Sequence, residues 1–416
     1  RVFLSKMFGF TLSQKISLVG IGMGAEKTLT LEGKKALNEA ELLIGAKRMT
    51  EAVQKPGQMV LHEYRSEKIV EYIREHPKYR TVAIALSGDV GFYSGAKKLI
   101  DQLDGNVEVI CGISSVVYFM SKIGLSWDDA KIVSAHGRNC NLISLIRHNP
   151  KVFSILGTED GVAVLASRLV YYGMGDVTLY VGENLSYENE KIFHDKAANL
   201  TEYRGDALSV VTACNEKATP LSAVHGISDG EFLRGKAPMT KEEVRTVSLS
   251  KLRLSEDSVC YDVGAGTGSV SVEMALRAWM GQVYAIEKKE DALALLKENK
   301  KKFAVDNLVI IPGVAPEAMT ELPAPTHAFI GGSSGNMQDI INLLLEKNPK
   351  VRIVINCITL ETVTEAMNAI RDFGLEDVDI VQLAAARSKS IGRYHMMMGE
   401  NPIYIISCSG RGEEIR

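Results

Sequence analysis

The chain has 416 residues and a net charge of −3, with 46% hydrophobic and 24% charged residues. This composition is typical of a folded protein of two or three domains, and it argues against disorder and against a basic surface for nucleic acid. We find no apolar run of the roughly 18–20 residues that a transmembrane helix needs, and we expect neither a signal peptide nor a membrane partner. The six cysteines form no CxxC pair and the eight histidines show no metal-site spacing. We therefore expect a cytoplasmic protein with reduced cysteines and no bound metal.

Short apolar segments alternate with longer amphipathic segments along the whole chain, a pattern that predicts α/β domains with covered sheets. The predicted strands are residues 15–21, 81–86, 107–111, 152–156, 177–181, 208–212, 258–263, 282–286, 308–311, 327–330, 351–356 and 403–406. The predicted helices are residues 30–41, 241–249, 269–278 and 291–303. A polar, glycine-containing break at 228–238 predicts a first domain at 14–228, a linker at 229–237 and a second domain at 238–416.

The sharpest motif is Asp262-Val263-Gly264-Ala265-Gly266-Thr267-Gly268, which stands between a predicted strand and a predicted helix. Glycines in such a loop allow a tight turn and a close approach of the backbone to a ligand. Glu287 directly follows the next predicted strand, at the place where a carboxylate binds ribose hydroxyls. A dinucleotide fingerprint requires glycine where Ser269 stands, which disfavours a nicotinamide cofactor. The motif resembles the first motif of class I S-adenosylmethionine methyltransferases.

Three loops of the first half also follow predicted strands: Gly20-Ile21-Gly22-Met23-Gly24, Ser87-Gly88-Asp89-Val90-Gly91, and Cys111-Gly112-Ile113-Ser114-Ser115. The acidic residue that a nicotinamide cofactor would require is missing after Ile44. Together the loops resemble the tetrapyrrole methylase family, the class III methyltransferases, which implies a two-lobed fold with a cofactor cleft between the lobes.

That family usually has proline at the positions of Met23, Val90 and Cys111. Because the glycines, the acid and the serines remain, we expect the site to survive with altered loop stiffness. Loss of activity in this half is the alternative.

A class III half followed by a class I half resembles the bifunctional, decarboxylating precorrin methyltransferases of cobalamin biosynthesis over residues 14–410. The second half carries three further segments of that resemblance, which are Met239-Thr240-Lys241-Glu242-Glu243-Val244-Arg245, Pro312-Gly313-Val314-Ala315-Pro316-Glu317 and Gly331-Gly332-Ser333-Ser334-Gly335. Relatives commonly have Asp at Val314, and they have GGSGG where this chain has GGSSG. The resemblance implies an N-terminal two-lobed class III fold and a C-terminal class I Rossmann-like fold.

The same resemblance implies the chemistry. The N-terminal half would methylate carbon 5 of precorrin-6Y or its cobalt form. The C-terminal half would decarboxylate the acetate arm on carbon 12 and methylate carbon 15, giving precorrin-8. An electron-rich macrocycle is itself the nucleophile, so the protein mainly supplies proximity and orientation and needs no catalytic triad. The implied partners are a small-molecule tetrapyrrole, S-adenosylmethionine at two sites, and further copies of the chain bound through the C-terminal domain.

The resemblance also implies site residues. The S-adenosylmethionine residues of the second half are Thr240, Gly264, Ala265, Gly266, Thr267, Gly268, Glu287 and Ala315. Those of the first half are Met23, Ser87, Gly88, Asp89, Phe92, Ser114, Ser115 and, from the second lobe, Gly157. Because the substrate is a polyanion, we predict that Arg387, Lys389 and Arg393 bind its carboxylates and that His395 donates a proton. Lys47-Arg48 and His136-Gly137-Arg138 are similar candidates in the first half.

Two alternatives stay open. One is a methyltransferase that acts on RNA or another small molecule with only one active half, although the aromatic content of 6% and the net charge disfavour RNA. The other is a nicotinamide oxidoreductase. Cofactor titration distinguishes them: two equivalents of S-adenosylmethionine indicate a bifunctional enzyme, one indicates a single active half, and NAD binding indicates the oxidoreductase.

Overall fold

The computed structural model describes residues 12–103, 105–135, 140–220 and 226–412. It divides into two compact units. The first unit comprises Arg1–His136, Lys151–Ser167 and Asp176–Cys214, and the second comprises Gly137–Pro150, Arg168–Gly175 and Asn215–Arg416. The predicted α/β class is confirmed, and every strand predicted from the sequence is present.

The first sheet of the first unit has five parallel strands in the order β3-β2-β4-β1-β5. Its strands are β1 (Leu12–Gly20), β2 (Leu42–Gly45), β3 (Met59–His62), β4 (Thr81–Leu86) and β5 (Gly105–Ile110). The helices of this part are α1 (Leu31–Glu39), α2 (Lys47–Val53), α3 (Ser66–Glu75) and α4 (Ala96–Gln102). Two separate clusters of buried apolar side chains pack against the strands, as expected for a parallel sheet that is covered on both faces.

The second sheet of the first unit is mixed, in the order β6-β7-β10-β8-β9. Its strands are β6 (Lys131–Ser134), β7 (Lys151–Ile155), β8 (Thr178–Glu183), β9 (Lys191–Lys196) and β10 (Ser209–Cys214). Three helices occur in this stretch of the chain: α5 (Ser115–Ile123), α6 (Leu142–His148), which belongs to the second unit, and α7 (Gly161–Tyr171), whose last four residues also belong to the second unit. Only β6 and β7 pair in parallel; the other pairs are antiparallel.

The second unit contains a seven-stranded sheet in the order β13-β12-β11-β14-β15-β19-β16. Its strands are β11 (Val259–Val263), β12 (Gln282–Glu287), β13 (Leu308–Pro312), β14 (His327–Ile330), β15 (Arg352–Cys357), β16 (Glu376–Leu383) and β19 (Ile403–Ser409). The helices are α8 (Glu242–Leu252), α9 (Ser269–Arg277), α10 (Glu290–Phe303), α11 (Met337–Lys347) and α12 (Leu360–Asp372). The strand order reverses between β11 and β14, and α/β sheets bind ligands in the crevice at such a reversal.

A separate exposed hairpin in the second unit consists of β17 (Ala386–Ile391) and β18 (Tyr394–Gly399). The sequence analysis missed this hairpin, together with β3, β6, β9 and β16. Most residues of β16, β17 and β18 are exposed, so the strands bury no apolar face that would leave a pattern in the sequence.

Residues of the predicted linker are packed into the second unit. Phe232 is 4% exposed and its ring centroid lies 4.8 Å from that of Phe303. The backbone N–H of Leu233 donates to Asn299 Oδ1 at 2.8 Å, and Asn299 Nδ2 donates back to the Leu233 carbonyl at 3.0 Å. The segment is therefore held by specific contacts, which its polar composition did not reveal.

Among the residues that the structure describes, no helix is both long and apolar enough to cross a membrane. Within the same ranges, no group of three or more His, Cys, Asp or Glu side chains is arranged to hold a metal ion.

Candidate functional site

A cavity of about 670 Å³ lies at the carboxyl ends of the parallel strands of the second unit. Six residues predicted to bind the cofactor line it, and these are Thr240, Gly264, Ala265, Gly266, Glu287 and Ala315. The other two, Thr267 and Gly268, stand next to it at the start of α9 without lining it. The structure therefore brings together residues from four separate parts of the sequence.

The glycine loop after β11 has a backbone that other residues rarely adopt. Gly264 has φ +75° and Gly266 has φ +55°. A Cβ on Gly264 would lie 2.9 Å from the backbone nitrogen and oxygen of Gly332, and one on Gly266 would lie 2.8 Å from the Pro238 carbonyl oxygen. Positive φ and close contact with neighbouring backbone both favour glycine here, so the loop can turn tightly beside the cavity.

Glu287 is buried at the end of β12, and its carboxylate is fixed by backbone donors. Oε2 accepts from the N–H of Gly266 at 2.8 Å, while Oε1 accepts from the N–H groups of Lys288 and Lys289 at 2.8 and 2.9 Å. A carboxylate has about four acceptor sites, so the group retains capacity for a ligand hydroxyl on the cavity side. This placement fits the expected contact with ribose.

Replacing Glu287 with alanine should weaken S-adenosylmethionine binding to the second unit by roughly 10- to 100-fold, because a charge-assisted hydrogen bond contributes about 1.5–3 kcal/mol. Isothermal titration of the full chain measures this change. Glu290→Ala is the matched control, since Glu290 is exposed and does not line the cavity. Unchanged binding in Glu287→Ala would contradict the assignment.

Asp262 lies beneath the glycine loop and is completely buried. The Ser271 hydroxyl donates to Oδ2, whereas Oδ1 has no hydrogen-bond partner among the described residues. Burial raises the pKa of this carboxyl to about 7, from an ordinary value of 3.8. The folded protein therefore holds this proton more tightly than the unfolded chain does.

This raised pKa predicts a pH-dependent stability. The proton that the folded protein holds on Asp262 adds to the free energy of unfolding. This contribution is complete below about pH 4 and is lost as the pH rises through about 7. In Asp262→Asn that loss, which is on the order of a few kcal/mol, should disappear. The chain has two tryptophans, so in a Trp127→Phe background Trp279 alone reports urea unfolding of the second unit. Parallel pH profiles with and without the Asp262→Asn substitution would contradict this prediction.

Arg245 is a buried cation that ties the segment before α8 to the second unit. Its Nε donates to Glu273 Oε1 at 2.5 Å, and its Nη1 donates to Asp229 Oδ1 at 3.2 Å and to the Thr240 carbonyl at 2.7 Å. The guanidinium lies 4.7 Å from the ring centroid of Phe232. Arg245 therefore holds Thr240 in the cavity wall. Arg245 stands in the segment from Met239 to Arg245, but no role was predicted for it.

The three predicted loops of the first unit meet at their glycines. Gly22 and Gly88 exchange two backbone hydrogen bonds of 3.1 and 2.7 Å, and a Cβ on Gly112 would overlap the carbonyl oxygen of Gly88. Asp89 joins the loops, since its Oδ1 accepts from the N–H of Gly112 at 3.0 Å and its Oδ2 accepts from the N–H of Gly91 at 2.8 Å. Asp89 therefore acts here as a loop anchor.

Several other predicted residues of the first unit lie beside these loops. The Met23 Cε atom lies 3.5 Å from the Cβ position of Gly88, and Met23 and Phe92 pack against the same apolar cluster. Ser114 caps α5, accepting from the N–H of Val117 at 3.5 Å. The remaining three predicted residues lie at the ends of strands or helices. Ser87 follows β4, Ser115 begins α5, and Gly157 comes shortly after β7 of the other sheet.

The second sheet contributes a polar cluster that the sequence analysis missed. The N–H of Ala25 donates to Ser186 Oγ at 3.3 Å, and Arg48 donates to the Tyr187 hydroxyl. Glu190 accepts from the Tyr118 hydroxyl at 2.7 Å. Burial, with Glu190 beside it, raises the pKa of Tyr118 to about 12. These contacts join the end of the first glycine loop, α2 and α5 to the segment between β8 and β9 of the second sheet.

The other cationic candidates of the first half have different outcomes. Lys47 is exposed, 3.8 Å from Glu51, and His136-Gly137-Arg138 lie outside the described residues.

The four candidate catalytic residues lie on the exposed hairpin, and none of them lines the cavity. Arg387 donates to Glu243 at 2.7 Å and lies within 4 Å of carboxylates from Asp229, Glu242 and Glu400. Lys389, Arg393 and His395 are exposed. Substrate binding by the three cations and proton donation by His395 stay predictions.

Two family models match the chain. A model described as tetrapyrrole (corrin/porphyrin) methylases matches residues 15–201, and a model described as a precorrin methyltransferase domain matches residues 231–409. The two matches fall on the halves that carry the two kinds of glycine loop.

Curated relatives match the C-terminal part of the chain. A protein of Pyrobaculum calidifontis, named as a probable cobalt-precorrin-6B C(15)-methyltransferase (decarboxylating), is 45% identical over 188 residues, which are 44% of this chain and 96% of the relative. The cobalt-precorrin-6B C(15)-methyltransferase (decarboxylating) of Salmonella typhimurium is 40% identical over 192 residues, 46% of this chain and 99% of the relative. A solved structure, precorrin-6Y C5,15-methyltransferase from Geobacter metallireducens, is 38% identical with a TM-score of 0.43, covering 45% of this chain and 98% of that one.

Proposed function

The chain belongs to the family of decarboxylating precorrin methyltransferases, and from this premise we propose its full reaction. It transfers methyl groups from S-adenosylmethionine to carbons 5 and 15 of precorrin-6Y or its cobalt form, and it removes the carboxyl group of the carbon-12 acetate arm, giving precorrin-8. The observation that carries the proposal is the cavity of the second unit, in which the glycine loop and the Glu287 carboxylate meet at the reversal of strand order.

The residues of the second unit fit S-adenosylmethionine, which supplies an electrophilic methyl group when bound. Glycine at 264 and 266 lets the loop pack closely against Gly332 and Pro238 while it lines the cavity. Glu287 would accept hydrogen bonds from the ribose hydroxyls, and Thr240, whose carbonyl is held by Arg245, would contact the methionine end of the cofactor. Walls from several strand ends would hold the reactants in contact, and such proximity and orientation are what this reaction needs most from the protein.

A second cofactor site in the first unit completes the proposal. The converging loops at Gly22, Gly88 and Gly112, joined by Asp89, support it. This unit methylates carbon 5, and the second unit carries out the decarboxylation and the methylation of carbon 15. Titration of the full chain should give two equivalents of bound S-adenosylmethionine; one equivalent would leave only one active half.

Mass spectrometry tests the overall reaction. Precorrin-6Y is incubated with the full chain and methyl-labelled cofactor, and the product should contain two labelled methyl groups and lack one carboxyl group. A metal-free and a cobalt-containing substrate assayed in parallel distinguish the two pathway forms. An unchanged substrate mass in both assays would overturn the proposed function.

The division into domains at 14–228 and 238–416 stays a proposal, and a fragment tests it. The fragment should begin at residue 226, because Asp229 and Phe232 pack within the second unit. We expect residues 226–416 alone to bind one equivalent of cofactor, release carbon dioxide and add one methyl group. A folded fragment that binds cofactor and never releases carbon dioxide would assign that step to the other half.

We also propose that the chain forms a homo-oligomer through its C-terminal domain, in the cytoplasm. The hairpin supports this interface, because its five large apolar side chains are about half exposed or more: Ile391, Tyr394, Met396, Met397 and Met398. Exposed apolar patches of this kind mark protein interfaces. Analytical ultracentrifugation of the full chain measures the state, and a monomer at micromolar concentration would contradict the proposal.

A further inference from the structure

The cavity of the second unit has two walls, separated by the reversal of strand order. Gly264, Glu287 and Ala315 line the first wall, following β11, β12 and β13. The second wall includes the residues from Gly331 to Ser334, which follow β14. Under the proposed function the first wall holds the cofactor, which leaves the second wall for the methyl acceptor.

The size of the cavity limits how the two reactants share it. Its volume of about 670 Å³ falls within the range of about 300–1,000 Å³ that is usual for a pocket holding one small molecule. S-adenosylmethionine is a ligand of that size, and the tetrapyrrole is larger. Only an edge of the macrocycle can therefore enter beside the cofactor, and most of its carboxylate arms must lie at the mouth.

The charged residues in the cavity lining are mainly basic. Among the described residues, those that line the cavity with a charge are Glu287, Glu400, Lys241, Lys288 and Lys289. Backbone N–H groups fix the Glu287 carboxylate, and the Glu400 carboxylate lies 3.9 Å from Arg387 Nε. The three lysines therefore give the lining a surplus of positive charge, which suits a polyanionic ligand.

Lys288 has its ammonium group held in a defined place. Its Nζ donates to Ser334 Oγ at 3.0 Å. Lys288 follows β12 and Ser334 comes after β14, and these two strands are the neighbours of β11 in the sheet. The side chain therefore reaches from the first wall past the end of β11 to the second wall. An ammonium group has three N–H donors, so two remain for a ligand.

Ser334, the acceptor of this hydrogen bond, has an unusual backbone. Its φ is +54°, a value that is uncommon for residues other than glycine. Such outliers concentrate at ligand-binding sites, where the surrounding structure maintains them. Both Ser334 and Lys288 are exposed while they line the cavity, so their contact lies at its mouth.

We propose that Lys288 binds a carboxylate arm of the tetrapyrrole at this mouth, and that Ser334 is the positioning residue that holds the ammonium group towards the second wall. The inference rests on the proposed function. The arm is not the carbon-12 acetate, because an ion pair with the reacting carboxylate would stabilise the reactant and slow the loss of carbon dioxide. Lys288 instead orients the macrocycle and contributes equally to binding of the substrate and of the transition state.

The test is the kinetics of carbon dioxide release by the full chain with precorrin-6Y and S-adenosylmethionine. Lys288→Met should raise the KM for precorrin-6Y about 3- to 10-fold, a modest change because the ion pair lies in contact with solvent. Its kcat, and its affinity for S-adenosylmethionine measured by titration, should stay within about two-fold of wild type. Lys297→Met is the matched control, because Lys297 is exposed on α10 and does not line the cavity.

Two further variants separate charge from position. Lys288→Arg retains the cation and should recover most of the affinity lost in Lys288→Met. Ser334→Gly suits the positive φ and removes the acceptor, so it should raise KM about 2- to 4-fold. It should have no further effect in the Lys288→Met background, because a positioning residue acts only through its partner.

Salt provides an independent measurement of the same contact. Raising the ionic strength from about 0.05 to 0.5 M screens exposed charges, so the KM of the wild-type chain should rise. The KM of Lys288→Met should rise less, because one of the screened interactions is already absent. Equal salt dependence in the two chains would contradict an ion pair at Lys288.

Each contrary kinetic result has a distinct meaning. A wild-type KM in Lys288→Met would overturn the inference, as would a loss confined to kcat or a loss of cofactor affinity as large as the rise in KM. A wild-type KM in Ser334→Gly alone would overturn the positioning role of Ser334. A wild-type chain that neither releases carbon dioxide nor transfers a methyl group would instead overturn the proposed function.

Discussion

Arg245→Met should lower the free energy of unfolding of the second unit by about 3–5 kcal/mol, the usual cost of removing one partner from a buried ion pair. Arg245 and Glu273 are both wholly buried. Burial raises the pKa of Glu273 above its ordinary value, although the positive charge of Arg245 acts in the opposite direction. Without the guanidinium, Glu273 must either stay charged in an apolar interior or take up a proton. The carbonyl of Thr240 also loses its donor, so cofactor affinity in this unit should fall as well.

Urea unfolding followed by the fluorescence of Trp279, in the Trp127→Phe background, measures this change. Arg253→Met is the matched control, because Arg253 pairs with Asp377 at 2.9 Å with its side chain 66% exposed and should cost less than about 1 kcal/mol. Adding Glu273→Gln to Arg245→Met should recover part of the loss, because it removes the unpaired charge. Equal effects of the two arginine substitutions would show that the buried network contributes no more than a surface pair.

Gly88→Val combined with Asp89→Asn should reduce methylation at carbon 5 by at least about 100-fold, the cost of misplacing reacting groups by about an ångström, and should spare decarboxylation. Gly88 has φ +69°, a conformation in which a β-branched residue is a genuine outlier. Asp89 uses both carboxylate oxygens to accept from the Gly91 and Gly112 amides, and asparagine keeps only one acceptor oxygen. The loop should therefore move away from its two neighbours. The second unit has its own glycine loop and should not be affected.

The expected product of this variant is decarboxylated and carries one new methyl group, which carbon-13 spectroscopy should place at carbon 15. Gly57→Val is the matched control, because Gly57 also has positive φ, at +77°, but has no atom within 4 Å of its Cβ position. It carries the same backbone strain without disturbing the loops, so both methylations should persist. Two new methyl groups in the product of the double variant would assign both transfers to the second unit.

The α/β class, the strands with continuous apolar runs and the two sets of glycine loops were predictable from the sequence. These features depend on local physics. A buried strand such as β11 needs a continuous apolar run, and a turn such as that at Gly264 needs residues that tolerate positive φ. Glu287 was predictable for the same reason, because its place at the end of the next strand follows from the βαβ connection. Each of these signals lies within one short stretch of chain.

Which distant polar groups meet depends on the packing of the folded chain and was not predictable. Asn356 and Ser248 are 108 positions apart, yet their side chains meet at 3.0 Å, and nothing near either residue in the sequence predicts that contact. The buried position of Arg245 depends likewise on Asp229 and Glu273. The positive charge of Arg387 predicted a carboxylate ligand, but the structure supplies carboxylates of the chain itself around it. A charge or an amide is recognisable in the sequence, whereas its partner depends on how helices and strands pack across the domain.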